Sequence, residues 1–301
     1  MAELRNAVHR AQIGSPFTDE ADLRSELTRP HVAMETDALL VFTPTGELVG
    51  SMAVLADPPF TQIEFENYVH PDWNGRGIGT MILDRSEARA AQLARQAPAD
   101  ERVVVRHGVW REATRTHRFL DSRGYRPVRH FFMLEIRMSE PPPEPSWPEG
   151  IEVRTMDQGV DERAVYEADM EAFEDHWGWV PLSFESWSHE VSGVEGFDPS
   201  LVPVAMDGAQ VVGWAWCRTE TPRNTEGGYV EVLGVRRPWR RRGIGLGLLH
   251  WCFGEMWRRG YRRVTIGVDT ENPTGALQLY ERAGMHTFRE WIEFEKVLAA
   301  Q

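Results

Sequence analysis

An internal duplication constrains this chain more than any other feature. The run Val69-His-Pro-Asp-Trp73-Asn-Gly-Arg76-Gly77-Ile78-Gly79 returns later as Val235-Arg-Arg-Pro-Trp239-Arg-Arg-Arg242-Gly243-Ile244-Gly245, with Val, Trp, Arg, Gly, Ile and Gly at equal spacing. Each copy follows a strand-like run and precedes a helix-like one. A second pair of anchors, Phe119-Leu-Asp-Ser-Arg-Gly124 and Leu279-Tyr-Glu-Arg-Ala-Gly284, follows in the same order. Two matched anchors in one order mean that a unit was copied, so the 301 residues are read as two related domains.

The boundary lies in the segment 139–150, where five prolines in twelve residues remove backbone donors and favour a stiff, extended linker. This gives a shortened domain over 1–138, a linker over 139–150 and a complete domain over 151–301. The second half alternates strands (Ile151–Arg154, Val202–Met206, Val211–Thr219, Gly228–Val235, Arg263–Val268, Phe288–Lys296) with helices (Asp161–Ala172, Gly245–Arg259, Pro273–Ala283), the pattern of an α/β layer fold on a central sheet. The first half opens on a helix, Ala2–Ile13, so the initial strand of the second half has no counterpart there.

Charge narrows the function. With 33 Lys and Arg against 46 Asp and Glu, the net charge is −13, which disfavours a nucleic-acid partner. No apolar run is long enough for a membrane helix and the amino terminus has no signal-peptide core, so a cytoplasmic protein without a membrane partner is expected. The two cysteines build neither a disulfide framework nor a zinc site, and the histidines show no ligand spacing, so no metal is expected.

Against the acidic background, five arginines (236, 237, 240, 241, 242) stand directly before glycines 243, 245 and 247 and a helix. Glycines let backbone N–H groups approach an anion, the helix presents its positive end, and arginines hold phosphate oxygens bidentately. The pattern is neither a Walker A loop, which needs Gly-Lys-Ser/Thr, nor a dinucleotide fingerprint, since Leu248 stands where its third glycine belongs.

The run from Leu233 to Gly247 resembles motif A of the GNAT acetyltransferase superfamily, and Val268 to Met285, with Asn272, Ala276, Tyr280 and Gly284, resembles its motif B. The tandem pair is similar in arrangement to the mycothiol synthases. The resemblance implies two tandem α/β (α+β) domains, each with a mixed, mostly antiparallel central sheet flanked by helices, and acetyl-CoA as co-substrate. It implies that Leu233, Gly234 and Val235 pair with the pantetheine arm. Backbone from Arg241 through Arg242, Gly243, Ile244, Gly245 and Leu246 to Gly247 would take the pyrophosphate, with Arg240 beside it, while Asn272 and Ala276 line the channel exit.

Acetyl transfer to an amine needs a base, an oxyanion donor and an acid for the thiolate. Tyr280 is placed by the resemblance as the acid, Glu231 as a base acting through water, and the Val235 N–H as the oxyanion donor. Glu231 lies four residues before Val235, an offset that strict alternation would put on one strand face. The first copy keeps Val69, Arg76, Gly77, Ile78 and Gly79 as a second CoA site, but carries Leu120 and Phe65 where Tyr280 and Glu231 stand, so it is read as non-catalytic. The segment Phe173, Glu174, Asp175, His176 and Trp177, with Trp187, combines rings and carboxylates suited to a cationic small-molecule amine, or equally to an interface. An acetyltransferase is the reading adopted; the alternative is an acyl-CoA-binding regulatory module without turnover.

Overall fold

The computed structural model describes residues 1–194, 196–221 and 224–298. The first half runs α1 (Ala2–Ile13), α2 (Glu20–Leu27), α3 (Met34–Asp37), β1 (Ala38–Phe42), β2 (Leu48–Leu55), β3 (Gln62–Phe65), β4 (Tyr68–Val69), α4 (Ile78–Leu93), β5 (Val104–Trp110), α5 (Thr114–Ser122) and β6 (Arg126–Arg137). The second half runs β7 (Ile151–Thr155), α6 (Glu162–Phe173), α7 (Phe184–Glu190), β8 (Pro203–Asp207), β9 (Gln210–Thr221), β10 (Asn224–Val235), α8 (Ile244–Arg258), β11 (Arg263–Asp269), α9 (Ala276–Arg282) and β12 (His286–Val297). The first half begins on helices, with no strand matching β7.

Two compact units result, Met1–His130 with Trp291–Gln301, and Phe131–Glu290. These limits do not coincide with the proline-rich segment. The last strand of each half completes the sheet of the other unit. In the first, strands lie in the order β1-β2-β3-β5-β12, and Trp291 to Val297 run antiparallel to Trp110 to Val104. In the second the order is β6-β11-β10-β9-β8-β7, and Phe131 to Arg137 run antiparallel to Asp269 to Arg263. Sequence order cannot reveal such an exchange, because either edge offers the same row of backbone donors and acceptors.

In the second unit α8 packs Leu248, Leu249, Cys252, Phe253 and Met256 against Val230, Val264 and Ile266. Their helical spacing puts one apolar stripe on the sheet. The helix ends where Gly260, at φ 92°, lets the Tyr261 N–H reach back to the Met256 carbonyl. A separate cluster joins Val165 and Ala168 of α6 to Trp187, Trp214 and Trp216.

Candidate active site in the second unit

β10 and β11 run parallel but pair only from Gly227 to Val230 against Arg263 to Ile266. Beyond that point both strands continue unpaired with each other. A β-bulge falls between Val230 and Val232 against β9. Its consequence is visible in packing: Val230 joins the core under α8, whereas Val232, which alternation would put beside it, packs with the α6 cluster. Leu233 and Val235 then pack against the α8 core. Alternation therefore does not run unbroken from Glu231 to Val235, correcting the shared-face expectation. Glu231 instead receives a hydrogen bond from Arg218 Nη1 at 3.2 Å.

The splay leaves main-chain groups open. The Arg236 N–H donates to the Val212 carbonyl, so the antiparallel alternation turns the backbone of Leu233 and Val235 away from β9, toward the edge that β11 has left. The Val235 carbonyl is taken by Arg240 Nε at 3.0 Å, which leaves the amide on that side. Gly234 faces the other way. A Cβ there would stand 3.1 Å from Phe173 Cε2 and 3.2 Å from Ala172 Cβ, so glycine is what allows α6 to approach the strand.

At the start of α8, Gly243 adopts φ 97° and caps the helix. The Gly247 N–H bonds the Gly243 carbonyl, and a Cβ on Gly247 would lie 2.7 Å from Trp147 Cε3. Gly247 thus seats the proline-rich segment on α8 and offers no free amide to an anion, contrary to expectation; the first-turn amides Ile244, Gly245 and Leu246 precede it. Gly245 is the meeting point of three elements: a Cβ would be 3.2 Å from Leu279 on α9 and 3.7 and 3.8 Å from Leu233 and Val235. One residue beyond Leu279, Tyr280 is buried, and burial together with nearby Tyr229 pushes its phenol above the ordinary range, so the proton stays on it throughout neutral pH. Ala276 packs against the same core, and Asn272 Oδ1 accepts from the Thr274 N–H at 2.8 Å and its hydroxyl at 2.6 Å, shaping the turn before α9.

The arginine block divides in two. Arg236 pairs with Glu171, and Arg237 with Glu174 and Asp175. Arg240 uses all three nitrogens, on the carbonyls of Val235 and Ala172 (2.8 Å) and on Asp175 (2.9 Å). These three tie β10 to the end of α6. Arg241 and Arg242 are exposed and have no hydrogen-bonding partner among the described residues. The expectations change accordingly. Arg240 braces the fold, and Asp175, held below the usual carboxylate range by hydrogen bonds from Arg237 and Arg240, is committed to them rather than to an amine.

Trp187 is likewise interior, at 2% exposure. Its indole donates to Asp169 Oδ2 at 3.0 Å, and Trp214 donates to Oδ1 at 3.1 Å. Phe173 lies against His176, and the Trp177 ring meets Phe131, 6.3 Å between centroids. Sequence reasoning missed both Asp169 and Phe131. Asp169 sits among Val165, Ala168 and Ala172 on the apolar face of α6. An acid at such a position is a visible signal of a buried polar contact. Burial raises its carboxyl to about 7 despite the two indoles. Phe131 arrives through the strand exchange, for which no local signal exists.

The first unit repeats the frame. β3 and β5 pair only from Gln62 to Glu64 against Val104 to Arg106, and Gly77 at φ 84° caps α4. Arg76 stacks on Trp73, with its guanidinium carbon 4.4 Å from the ring centre, and Val69 lies 3.8 Å from a Cβ placed on Gly79. Phe65 and Leu120 are buried, where the second unit has Glu231 and Tyr280.

A sheet that opens beside a helix amino terminus thus occurs twice in one chain. The chain belongs to the acetyltransferase (GNAT) family, whose model matches residues 5–125 and again 162–285. It is 30% identical over 298 residues to the mycothiol acetyltransferase of Salinispora tropica, covering 97% of this chain and 91% of the relative. A solved GCN5-related N-acetyltransferase from Sphaerobacter thermophilus is 36% identical, with a TM-score of 0.79 over 98% of this chain and 91% of that one. The tandem GNAT protein from the clavulanic acid biosynthesis pathway shares the fold at 16% identity, with a TM-score of 0.71 over 98% and 92% of the two chains. The protein is an acetyltransferase with two tandem GNAT domains. Among the described residues no helix is long and apolar enough to cross a membrane, and no group of three His, Cys, Asp or Glu side chains is placed to hold a metal.

Proposed function

We propose that the second unit transfers acetyl from acetyl-CoA to the primary amine of a small molecule by direct attack. The observation that carries this reading is the parting of β10 from β11 at the bulge, beside the first turn of α8, where Leu279, the neighbour of Tyr280 in sequence, meets Gly245. The open backbone of Leu233 and Val235 would pair with the amide-bearing pantetheine arm as a strand would. The amides of Ile244, Gly245 and Leu246, with Arg241 and Arg242, would hold the pyrophosphate. Asn272 and Ala276 border the channel where the arm leaves.

In the transfer the amine nitrogen attacks the thioester carbon, the carbonyl oxygen gains charge that the Val235 N–H stabilises, and the C–S bond breaks. Tyr280 gives its proton to the departing thiolate and is restored by the proton that the acylated nitrogen sheds as it becomes the neutral amide. Glu231, oriented by Arg218, takes the ammonium proton through a water. The acceptor would lie on the side of Phe131, Phe173, His176 and Trp177. The similarity to the mycothiol acetyltransferases supports an acceptor of small-molecule size. Because Phe65 and Leu120 supply neither base nor acid, the first unit takes no part in the chemistry, though Val69 and Arg76 to Gly79 retain the form of a CoA site.

The test is release of free CoA thiol from acetyl-CoA with a panel of amines: polyamines, amino acids, amino sugars, short peptides and the acceptor of the mycothiol acetyltransferases. Acetyl-dependent thiol release with at least one small amine is expected. Binding of acetyl-CoA without release for any amine would overturn the reading in favour of a binding module.

A further inference from the structure

The buried face of α6 carries an acid, Asp169, among Val165, Ala168 and Ala172. Burying a carboxyl is costly unless donors compensate, and an apolar residue at this position would avoid the cost. Both of its oxygens are taken. Trp187 Nε1 on α7 donates to Oδ2 at 3.0 Å, and Trp214 Nε1 on β9 donates to Oδ1 at 3.1 Å. One carboxyl thus joins three elements of the second unit.

Trp214 carries the constraint on to the open strand. It is the register partner of Gly234 on β10. The same indole nitrogen that meets Asp169 stands 3.5 Å from the place of a Cβ on Gly234. Ala172 and Phe173, the next turn of α6 after Asp169, close on that glycine at 3.2 and 3.1 Å. Gly234 lies between Leu233 and Val235, in the stretch of β10 that β11 has left. Rigid peptide planes link the three residues, so holding Gly234 holds the main chain of both neighbours.

The first unit has the same strands without this brace. Val69 pairs with Gly50 as Val235 pairs with Gly213, so Tyr68 and Ser51 stand where Gly234 and Trp214 do. The buried Ser51 hydroxyl has no hydrogen-bond partner among the described residues, and the Tyr68 hydroxyl donates to Glu66 at 2.7 Å. The brace therefore accompanies the unit that holds Glu231 and Tyr280 and is missing from the unit with Phe65 and Leu120. A contact serving only the shared fold would be expected in both copies.

We propose that Asp169 is a positioning residue: through Trp214 it sets the place of Leu233 to Val235, and with it where the pantetheine arm pairs and where the Val235 N–H points. The inference rests on the CoA reading of the second unit given above. Asp169 acts through Trp214 and Gly234, not by contact with the reactants.

The experiment is calorimetric titration of the full chain with CoA and with adenosine 3′,5′-bisphosphate, which has the phosphate end of CoA but no pantetheine arm. Trp214→Phe removes the indole donor beside Gly234. Trp187→Phe removes the other donor to the same carboxyl, at a position equally interior. Trp214→Phe should weaken CoA binding about tenfold, and Trp187→Phe by less than about twofold. The bisphosphate should bind both variants within about twofold of wild type, because the first turn of α8 is untouched. Asp169→Ala, which removes both acceptors, should follow Trp214→Phe; should it not fold, the tryptophan pair decides. Any CoA site in the first unit is common to all these proteins and cancels in the comparison. Equal loss of CoA affinity in the two tryptophan variants, or an equal loss for the bisphosphate, would mark a merely structural contact and overturn the proposal. So would unaltered CoA affinity in Trp214→Phe. A wild-type chain that binds no CoA would instead overturn the reading of the site on which the proposal rests.

Discussion

Arg240 and Arg241 are neighbours in one basic run, and the structure gives them opposite duties that substitution separates. Arg241 is a non-glycine residue at φ 62°, in the left-handed region, and its counterpart in the first unit is Gly75 at φ 78°. Holding an L-residue there costs about 1–2 kcal/mol, and glycine in the unfolded chain takes back roughly 0.5–1 kcal/mol. Arg241→Gly should therefore leave stability within about 1 kcal/mol of wild type. If the exposed guanidinium meets a phosphate of CoA, losing one charge-assisted bond at the surface removes about 1.5 kcal/mol, roughly tenfold in Kd. The remaining affinity should also depend less on salt.

Arg240→Ala should do the reverse. It strips donors from the Val235 and Ala172 carbonyls, for a loss of about 1–3 kcal/mol in folding stability, and leaves Asp175 with Arg237 alone. Calorimetry with CoA, beside urea unfolding of both variants, measures the two effects. CoA affinity unchanged in Arg241→Gly, with stability lost instead, would refute the division of the arginine block.

Tyr280→Phe should leave CoA affinity near wild type and lower kcat by about 10²–10⁴-fold, read by steady-state thiol release once an acceptor is known. Asp169 binds its proton more tightly folded than unfolded, so the stability this provides is complete below about pH 4, declines by up to about 1.4 kcal/mol per pH unit toward pH 7, and is flat above. Asp169→Asn should flatten that interval in urea midpoints taken from pH 4.5 to 7.5; an unaltered slope would remove Asp169 from the account. Gly247→Ala should cost about 1–3 kcal/mol by driving a methyl into Trp147, and Trp147→Ala in the same chain should recover part of it, read as Tm.

Motif, period and repeat could be read from the chain because each depends on residues close in sequence. Glycine at 243 marks a left-handed cap, the apolar stripe of Leu248, Cys252 and Met256 marks a buried helix face, and the recurrence of Arg-Gly-Ile-Gly marks a copied unit. The α6 and α8 helices accordingly lie within a residue or so of the spans expected from periodicity. What tertiary structure decided was the pairing of groups far apart in sequence. Strands β6 and β12 were legible as strands, but an edge strand carries no address, so the exchange that puts Phe131 beside Trp177 and Glu293 beside Gly108 appears only in the fold. The charge of Arg236, Arg237 and Arg240 was visible as a basic block; its neutralisation was not, since Glu171, Glu174 and Asp175 sit at the end of another helix. Alternation predicted one face for Glu231 and Val235, and a single extra residue at the bulge was enough to break it. Local propensity fixes which elements form, while long-range contacts, individually worth only a kcal/mol or so, select which side chains meet.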